Sequence, residues 1–201
     1  MRAQKELRRR SVFINVPFDK AYEPLFVALI SSLIAVGRTP CYVLQVAEQG
    51  EGQLSRIFKL MEDCSVSVHD LSRAGLPVRF NMPFELGIAY ALRQLNAHKF
   101  VLLEAKRYRL QRTLSDLNGI DSGIHGGTVY GMVSCILSSL GKPRMNPDPQ
   151  QIHKIRRQLW RAIPVFKRNH HRTTIYTRAI FQDLLTAASL LAKEAGLIVV
   201  E

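Results

Sequence analysis

The sequence predicts an α/β fold, in which a parallel sheet of four to five strands is flanked by helices and followed by a helical appendage. Short runs rich in β-branched and aromatic residues alternate with longer runs that have helical periodicity. The helical runs between successive strands are long enough for βαβ units, and these units require a parallel sheet.

The elements of this α/β region are predicted from propensity, periodicity and turn residues. The predicted strands are residues 11–16, 39–46, 65–71 and 99–104. The predicted helices are residues 24–36, 54–64 and 82–96. Gly37 is expected to end the first of these helices, and Asn81 is expected to be the N-cap of the third.

The second half of the chain reads as helical. Residues 108–140 are predicted to form two short helices around a turn at 118–123, and a proline-rich linker follows at 142–149. Two further helices are predicted at 150–163 and 174–195. The expected organisation is a basic N-terminal arm at 1–10, an α/β domain at 11–141 and a basic helical appendage at 142–201.

Positive charge is concentrated at the two ends of the chain. The net charge is +12, of which residues 1–10 carry +4 and residues 142–201 carry +7. Such flanks are expected to bind polyanions, most commonly through phosphate contacts, and the alternatives are a solvated surface or a surface that docks on an acidic partner. If the first use is the main one, charge reversal of the following residues should abolish binding: Arg156, Arg157, Arg161, Lys167 and Arg168.

Several function classes lose support from what the sequence lacks. It has no phosphate-binding GxxxxGK[ST] loop, no GxGxxG after the first strand and no GxSxG nucleophile elbow. These absences count against ATP hydrolysis, hydride transfer and serine hydrolysis. No Cys/His cluster has the spacing of a zinc site, so no metal or cofactor is predicted.

The expected location is the cytoplasm. No run of about 20 apolar residues predicts a membrane helix. The N-terminus does not resemble a secretory signal. The three cysteines, Cys41, Cys64 and Cys135, are far apart and are expected to be reduced.

Glu85 is the predicted catalytic carboxylate. Parallel sheets bind ligands beyond the C-terminal ends of their strands, and the helix after the third strand starts there. With Asn81 as N-cap, Glu85 lies in the first helical turn, where the helix dipole favours an ionised carboxylate. Such a carboxylate attacks an electron-poor sugar carbon or stabilises it as the base departs. The alternative is an acid favoured by the dipole alone.

A second carboxylate and a set of polar and aromatic residues complete the predicted site. Asp70, at the end of the third strand, is expected to orient the sugar or the base, or else to cap its loop. His69 is expected to be a core histidine. The residues predicted to bind substrate are Asn15, Phe18, Asp19, Tyr22, Arg56, Asn81, Asp116 and Asp121.

Four segments together carry a resemblance to a known family. They are 12–22, 56–57, 69–73 and 79–87, and the similarity continues through 115–121 and His125. In these segments the chain resembles bacterial nucleoside 2-deoxyribosyltransferase-like proteins, which are related in fold to TIR domains. The resemblance covers roughly residues 11–140 and leaves out the basic tail.

The resemblance implies a flavodoxin-like, Rossmann-like sheet with Glu85 as the catalytic glutamate and Asp70 as the substrate-orienting aspartate. It implies cleavage of an N-glycosidic bond in a nucleotide or NAD-like substrate, without a cofactor, by a homo-oligomer. Some relatives are toxin effectors of anti-phage systems such as retrons, where a reverse transcriptase and its non-coding DNA–RNA would be partners of the basic ends. The alternative function is a non-catalytic nucleotide sensor or nucleic-acid-binding adaptor.

Overall fold

The chain forms two compact units. The computed structural model describes residues 2–43, 52–72, 80–108, 114, 119–142 and 147–197. The sheet unit comprises Met1–Pro17 and Thr39–Gly127, and the helical unit comprises Phe18–Arg38 and Thr128–Glu201. Residues 18–38, which were expected to belong to the α/β domain, therefore group with the C-terminal helices.

The sheet unit contains a five-stranded parallel sheet with the order β2-β1-β3-β4-β5. Its strands are β1 (Ser11–Asn15), β2 (Thr39–Cys41), β3 (Val66–Asp70), β4 (Lys99–Glu104) and β5 (Ser122–Ile124). The predicted α/β class with a parallel sheet is confirmed. Strands β1 and β3 are buried along their whole length, as expected for the inner strands of a parallel sheet.

Two elements of the sheet differ from their prediction. Strand β2 was predicted over 39–46, but it ends at Cys41, and residues 44–46 lie outside the described residues. The turn predicted at 118–123 was wrong in part, because Ser122–Ile124 pairs with β4 as an edge strand. A three-residue strand that contains a glycine has little β-propensity of its own, so pairing with β4 decides its conformation.

Within the residues that the structure describes, the helices of the sheet unit are α1 (Arg2–Arg10), α3 (Gln53–Glu62) and α4 (Asn81–Leu95). The predicted basic arm is thus a helix. Ser65 holds its C-terminus, because the Ser65 amide donates to the Arg8 carbonyl at 3.0 Å and the Ser65 hydroxyl donates to the Arg9 carbonyl at 3.1 Å. Helices α3 and α4 pack on the sheet through an apolar cluster around Phe13, Met61 and Leu92.

The predicted N-cap of α4 was wrong. The N-cap position is occupied by Phe80, and Asn81 is the first residue of the helix itself. No side chain caps this end of α4, so the preference of asparagine for the N-cap does not decide where the helix begins. The shift of one residue moves Glu85 to the fifth helical position, just beyond the first turn.

The helical unit is built on α2 (Glu23–Ala35), which packs against α5 (Val129–Leu140), α6 (Pro149–Asn169) and α7 (Arg178–Glu194). Helix α2 is apolar apart from Glu23, Ser31 and Ser32, and it is buried at every position except Pro24. It ends at Ala35 with Val36 as C-cap, and Gly37 follows in the predicted C′ position, where its φ of 74° is the left-handed conformation that terminates many helices.

The C-terminal helices differ in length from the prediction. Helix α6 was expected to end at Ile163, but it continues through Pro164 to Asn169. An internal proline removes one backbone hydrogen bond, and the buried apolar face of the helix offsets this loss. Helix α7 begins later than predicted, after Thr177, whose hydroxyl accepts a hydrogen bond from the amide of Ile180.

None of the helices in the described ranges is both long and apolar enough to cross a bilayer.

Candidate functional site

The C-terminal edge of the sheet carries a buried cluster of Asp70, Ser72 and His125. Asp70 is the last residue of β3 and is fully buried, and His125 directly follows β5. Asp70 Oδ1 accepts hydrogen bonds from the Ser72 amide at 2.9 Å and from the Ser72 hydroxyl. Asp70 Oδ2 lies 3.1 Å from His125 Nε2, which is also 2.8 Å from Ser72 Oγ. The cluster joins the loop after β3 to the loop after β5.

The hydrogen bonds of His125 define its tautomer. The Gly127 amide donates to His125 Nδ1 at 3.0 Å, so in the neutral ring the proton is on Nε2. Nε2–H therefore donates to Asp70. A Ser–His–Asp triad needs the aspartate on one ring nitrogen and the serine on the other, whereas here both contact Nε2. The cluster consequently anchors the Asp70 carboxylate and does not activate Ser72 as a nucleophile.

Asn15 lies at the end of β1, and its side chain is used within the fold. Its amide nitrogen donates to the Met82 carbonyl at 3.0 Å and to His69 Nδ1 at 3.1 Å. Both amide hydrogens are thereby used, and the first turn of α4 is tied to two neighbouring strands. The predicted role of Asn15 in binding sugar hydroxyls stays a prediction, and only its side-chain oxygen would be available for it.

From Asn15 a chain of buried hydrogen bonds crosses the sheet unit. Because Asn15 donates to His69 Nδ1, His69 carries its proton on Nε2, which donates to Ser67 Oγ at 2.8 Å. Ser67 then donates to His98 Nε2 at 3.0 Å, and His98 Nδ1–H donates to the Cys64 carbonyl at 3.1 Å. Each hydrogen bond in this series therefore has one defined donor and one defined acceptor, and both histidines are neutral. His69 is the packed core histidine that the sequence predicted.

Burial favours the neutral form of both histidines. It lowers the pKa of His69 to about 3, and the nearby His98 contributes to this shift. Burial also lowers the pKa of His98. A proton added to either ring would remove the nitrogen that accepts one of these hydrogen bonds.

Glu85 is half-buried on α4, between the buried Met82 and Leu86 side and the more exposed side that carries Phe84. Loss of hydration raises the pKa of its carboxyl to about 7. Among the described residues, none makes a hydrogen bond or an ion pair with this carboxyl. A carboxylate near the positive end of the helix dipole is expected to be charged at neutral pH. Instead, burial shifts this carboxyl towards its neutral form.

An open apolar groove of about 430 Å³ lies between α3 and α4. Its lining is mainly apolar, with one cation, and consists of Leu54, Ser55, Phe58, Lys59, Phe84 and Ile88. Glu85 follows Phe84 directly and precedes Ile88 by one turn, although it is not part of the lining. The volume is in the range of sites for small ligands.

Three of the predicted substrate-binding residues, Phe18, Asp19 and Tyr22, belong to the helical unit. The Asp19 carboxylate caps a short 3-10 helix by accepting a hydrogen bond from the Tyr22 amide at 3.0 Å. The Phe18 ring packs against Tyr176, with 5.4 Å between the centroids, and the Tyr176 hydroxyl donates to the Asp19 carbonyl at 3.0 Å. Tyr22 is buried. All three have structural roles within this unit.

The other predicted residues are dispersed over the sheet unit. Arg56 is half-buried in the first turn of α3, and Asn81 is exposed at the start of α4. Asp121 is exposed and directly precedes β5, so a length of about 13 Å separates it from His125 at the other end of that strand. Asp116 lies outside the described residues.

Ser72 and His125 were not among the site residues predicted from the sequence. Both are in segments that carry the family resemblance, but no local signal predicts that residues 53 positions apart share a hydrogen bond. The described residues hold no cluster of three or more His, Cys, Asp or Glu side chains that fits a metal ion. Comparison of the chain with protein-family models, with curated proteins and with solved structures finds no significant match.

Proposed function

We propose that this protein cleaves the N-glycosidic bond of a nucleotide or NAD-like substrate, as an N-glycosidase or a deoxyribosyltransferase-like enzyme. The observation that carries the proposal is the state of Glu85, a half-buried carboxyl with a pKa of about 7 and no partner among the described residues. Carboxyls with strongly shifted pKa values are concentrated at functional sites. The resemblance to nucleoside deoxyribosyltransferase-like proteins supports the same assignment.

In the proposed reaction, the ionised Glu85 carboxylate attacks C1′ of the sugar. The bond between C1′ and the base nitrogen breaks, its electron pair leaves with the base, and the base takes up a proton. The glycosyl ester on Glu85 is then opened by water in hydrolysis or by a second base in transfer. Desolvation makes the carboxylate a stronger nucleophile, because the charge is not dispersed by water.

Asp70 is the second carboxylate of the proposed mechanism, with the role of orienting the sugar or the base. Its hydrogen bonds to Ser72 and His125 fix the rotamer of the carboxylate at the edge of the sheet where ligands bind. Ser72 and His125 are therefore proposed as positioning residues. They act on the substrate only through Asp70.

The test is base release by the purified chain from NAD and from a panel of ribo- and deoxyribonucleotides, followed by chromatography. Wild type should release free base, and Glu85→Gln should reduce the rate at least 100-fold, since glutamine has the same shape without the nucleophilic charge. The matched control is Glu62→Gln, an exposed glutamate on α3, which should keep the wild-type rate.

The pH dependence identifies the role of Glu85. A nucleophile is active when ionised, so the rate should rise as the pH increases through about 7 and then level off. A rate that falls through the same pH would assign Glu85 as a general acid and contradict the nucleophilic mechanism. No release of base from any substrate would contradict the enzymatic proposal.

The second candidate is a non-catalytic module that senses a nucleotide or binds nucleic acid as an adaptor. The groove between α3 and α4 favours it, because it offers space for a ligand without including Glu85 in its lining. A nucleotide that raises the melting temperature of both wild type and Glu85→Gln, without release of base, supports this candidate.

The biological setting belongs to the proposal as well. We place the protein in the bacterial cytoplasm as a homo-oligomer and as a toxin effector of an anti-phage system, which would deplete a nucleotide pool. If that system is a retron, the reverse transcriptase and its non-coding DNA–RNA are the partners expected at the basic ends of the chain.

A further inference from the structure

The positive charge of the C-terminal region is organised along one face of α6. This helix contains six Lys and Arg residues and no Asp or Glu. Four exposed side chains follow each other at spacings of three, four and seven residues and define the basic face of α6: Lys154, Arg157, Arg161 and Arg168. The opposite face, with Ile155 and Leu159, is buried within the helical unit.

The cations of this face are not neutralised within the described part of the chain. There, no carboxylate lies within 4.0 Å of Lys154, Arg157, Arg161 or Arg168. Lys167 differs from them, because its ammonium group binds both carboxylate oxygens of Glu23 at 3.0 Å. The basic face therefore presents positive charge to an external partner, whereas Lys167 forms an ion pair within the helical unit.

An aromatic platform borders the basic face. Tyr130 of α5 is 66% exposed, and its ring lies 4.1 Å from the ring of the buried His153 on α6. Trp160, two helical turns after His153, is 38% exposed. Arg156 lies between His153 and Trp160 along α6, and its buried Nε has no hydrogen-bond partner among the described residues. Exposed aromatic rings beside guanidinium groups are the usual means of binding unpaired bases and their phosphates.

We propose that the basic face of α6 and its aromatic border bind single-stranded nucleic acid. The guanidinium groups contact the phosphates, and bases stack on Tyr130 and Trp160. A duplex would engage the cations but would leave the two rings unused, because its bases are already stacked on each other. An anionic membrane fits less well, because the apolar face that an interfacial helix inserts into lipid is buried here.

Charge alone predicts the salt dependence of this interaction. Five cations, the four of the basic face and Arg156, are available for phosphate contacts. At roughly 0.7 per phosphate, the slope of log K against log salt should be about −3.5 for a single strand. An increase from 50 to 200 mM KCl should then weaken binding about 100-fold.

The experiment measures fluorescence anisotropy of the full chain with a labelled 20-nucleotide single strand, as DNA and as RNA, and with a 20-base-pair duplex. Trp160→Ala should weaken binding of the single strand about 5- to 150-fold and leave duplex binding unchanged. Arg157→Glu with Arg161→Glu should weaken both and reduce the salt slope by about 1.4. Circular dichroism melting verifies that each variant is folded.

The matched control is Arg178→Glu with Lys193→Glu, two exposed cations of α7, which changes the net charge by the same amount. Binding by this control at the wild-type affinity supports the proposal, and a loss equal to that of the α6 variant overturns it. A duplex bound more tightly than the single strand, or equal competition by anionic vesicles or polyglutamate, also overturns it. Glu85→Gln should bind normally, so this result is independent of the proposed catalysis.

Discussion

Lowering the pH from 7 to 5 tests the buried chain of Asn15, His69, Ser67 and His98. The pKa of His69 is about 3 in the folded protein and roughly 6.5 in an unfolded chain. Below pH 6.5 the unfolded state therefore binds a proton that the folded state does not. The contribution to stability is complete above this pH and decreases as the pH falls towards 3. Between pH 7 and pH 5 the loss is about 2 kcal/mol for His69 alone.

The loss can be measured by amide hydrogen exchange in β1 and β3, which reports the local free energy of opening in the sheet unit. Other groups titrate as well, so the informative quantity is the difference between wild type and His69→Gln. This variant keeps a side-chain amide near the position of Nε2 but does not titrate, and its loss should be smaller by about 2 kcal/mol. His171→Gln, at an exposed histidine of the helical unit, is the control and should behave as wild type.

Histidine-detected NMR gives a second, independent readout of the same prediction. At pH 5 the His69 ring should still be neutral with its proton on Nε2, and the His98 ring should carry its proton on Nδ1. A charged His69 at pH 5 would refute the donors and acceptors assigned to these hydrogen bonds. An equal pH dependence of exchange in wild type and His69→Gln would refute them as well.

Two further predictions concern the ion pair and the Asp70 cluster. Lys167→Met should destabilise the helical unit by about 2–3 kcal/mol, because it leaves the Glu23 carboxylate buried without its partner. Urea unfolding followed by Trp160 fluorescence measures this, and adding Glu23→Gln should restore most of the loss. Ser72→Ala removes a hydroxyl donor to Asp70 and should cost about 1–2 kcal/mol. It should also lower kcat for base release more than it changes KM, whereas a purely structural role would leave kcat of the folded variant unchanged.

The main features of the sheet follow from local sequence. The runs that form β1, β3 and β4 are each rich in valine, isoleucine, leucine or phenylalanine, and their predicted bounds agree with the structure to within one residue. Gly37 follows the end of α2 at the predicted position, because this position has a left-handed backbone conformation that favours glycine. In these segments local preference and tertiary packing favour the same conformation.

The remaining features depend on contacts between distant residues. Strand β5 has low β-propensity and exists through its pairing with β4, and the cluster of Asp70, Ser72 and His125 joins two loops that are 53 positions apart. The pKa of Glu85 has the same origin. Its position near the start of α4 suggested an ionised carboxylate, but the environment that removes water from the carboxyl and raises its pKa is set by packing.

In the basic tail, the number of cations alone does not show which charge-reversal variants test binding of nucleic acid. From the sequence, Lys167 and Arg168 are equivalent members of one group of cations. In the fold, Arg168 is exposed, whereas Lys167 is bound to the buried Glu23. Reversing both charges would place the new carboxylate at position 167 against Glu23 and destabilise the helical unit. A loss of binding could then not be separated from a loss of structure. Reversal at Arg157 and Arg161 changes the net charge by the same amount on the exposed face alone, so this variant tests binding without disturbing the ion pair of Glu23 and Lys167.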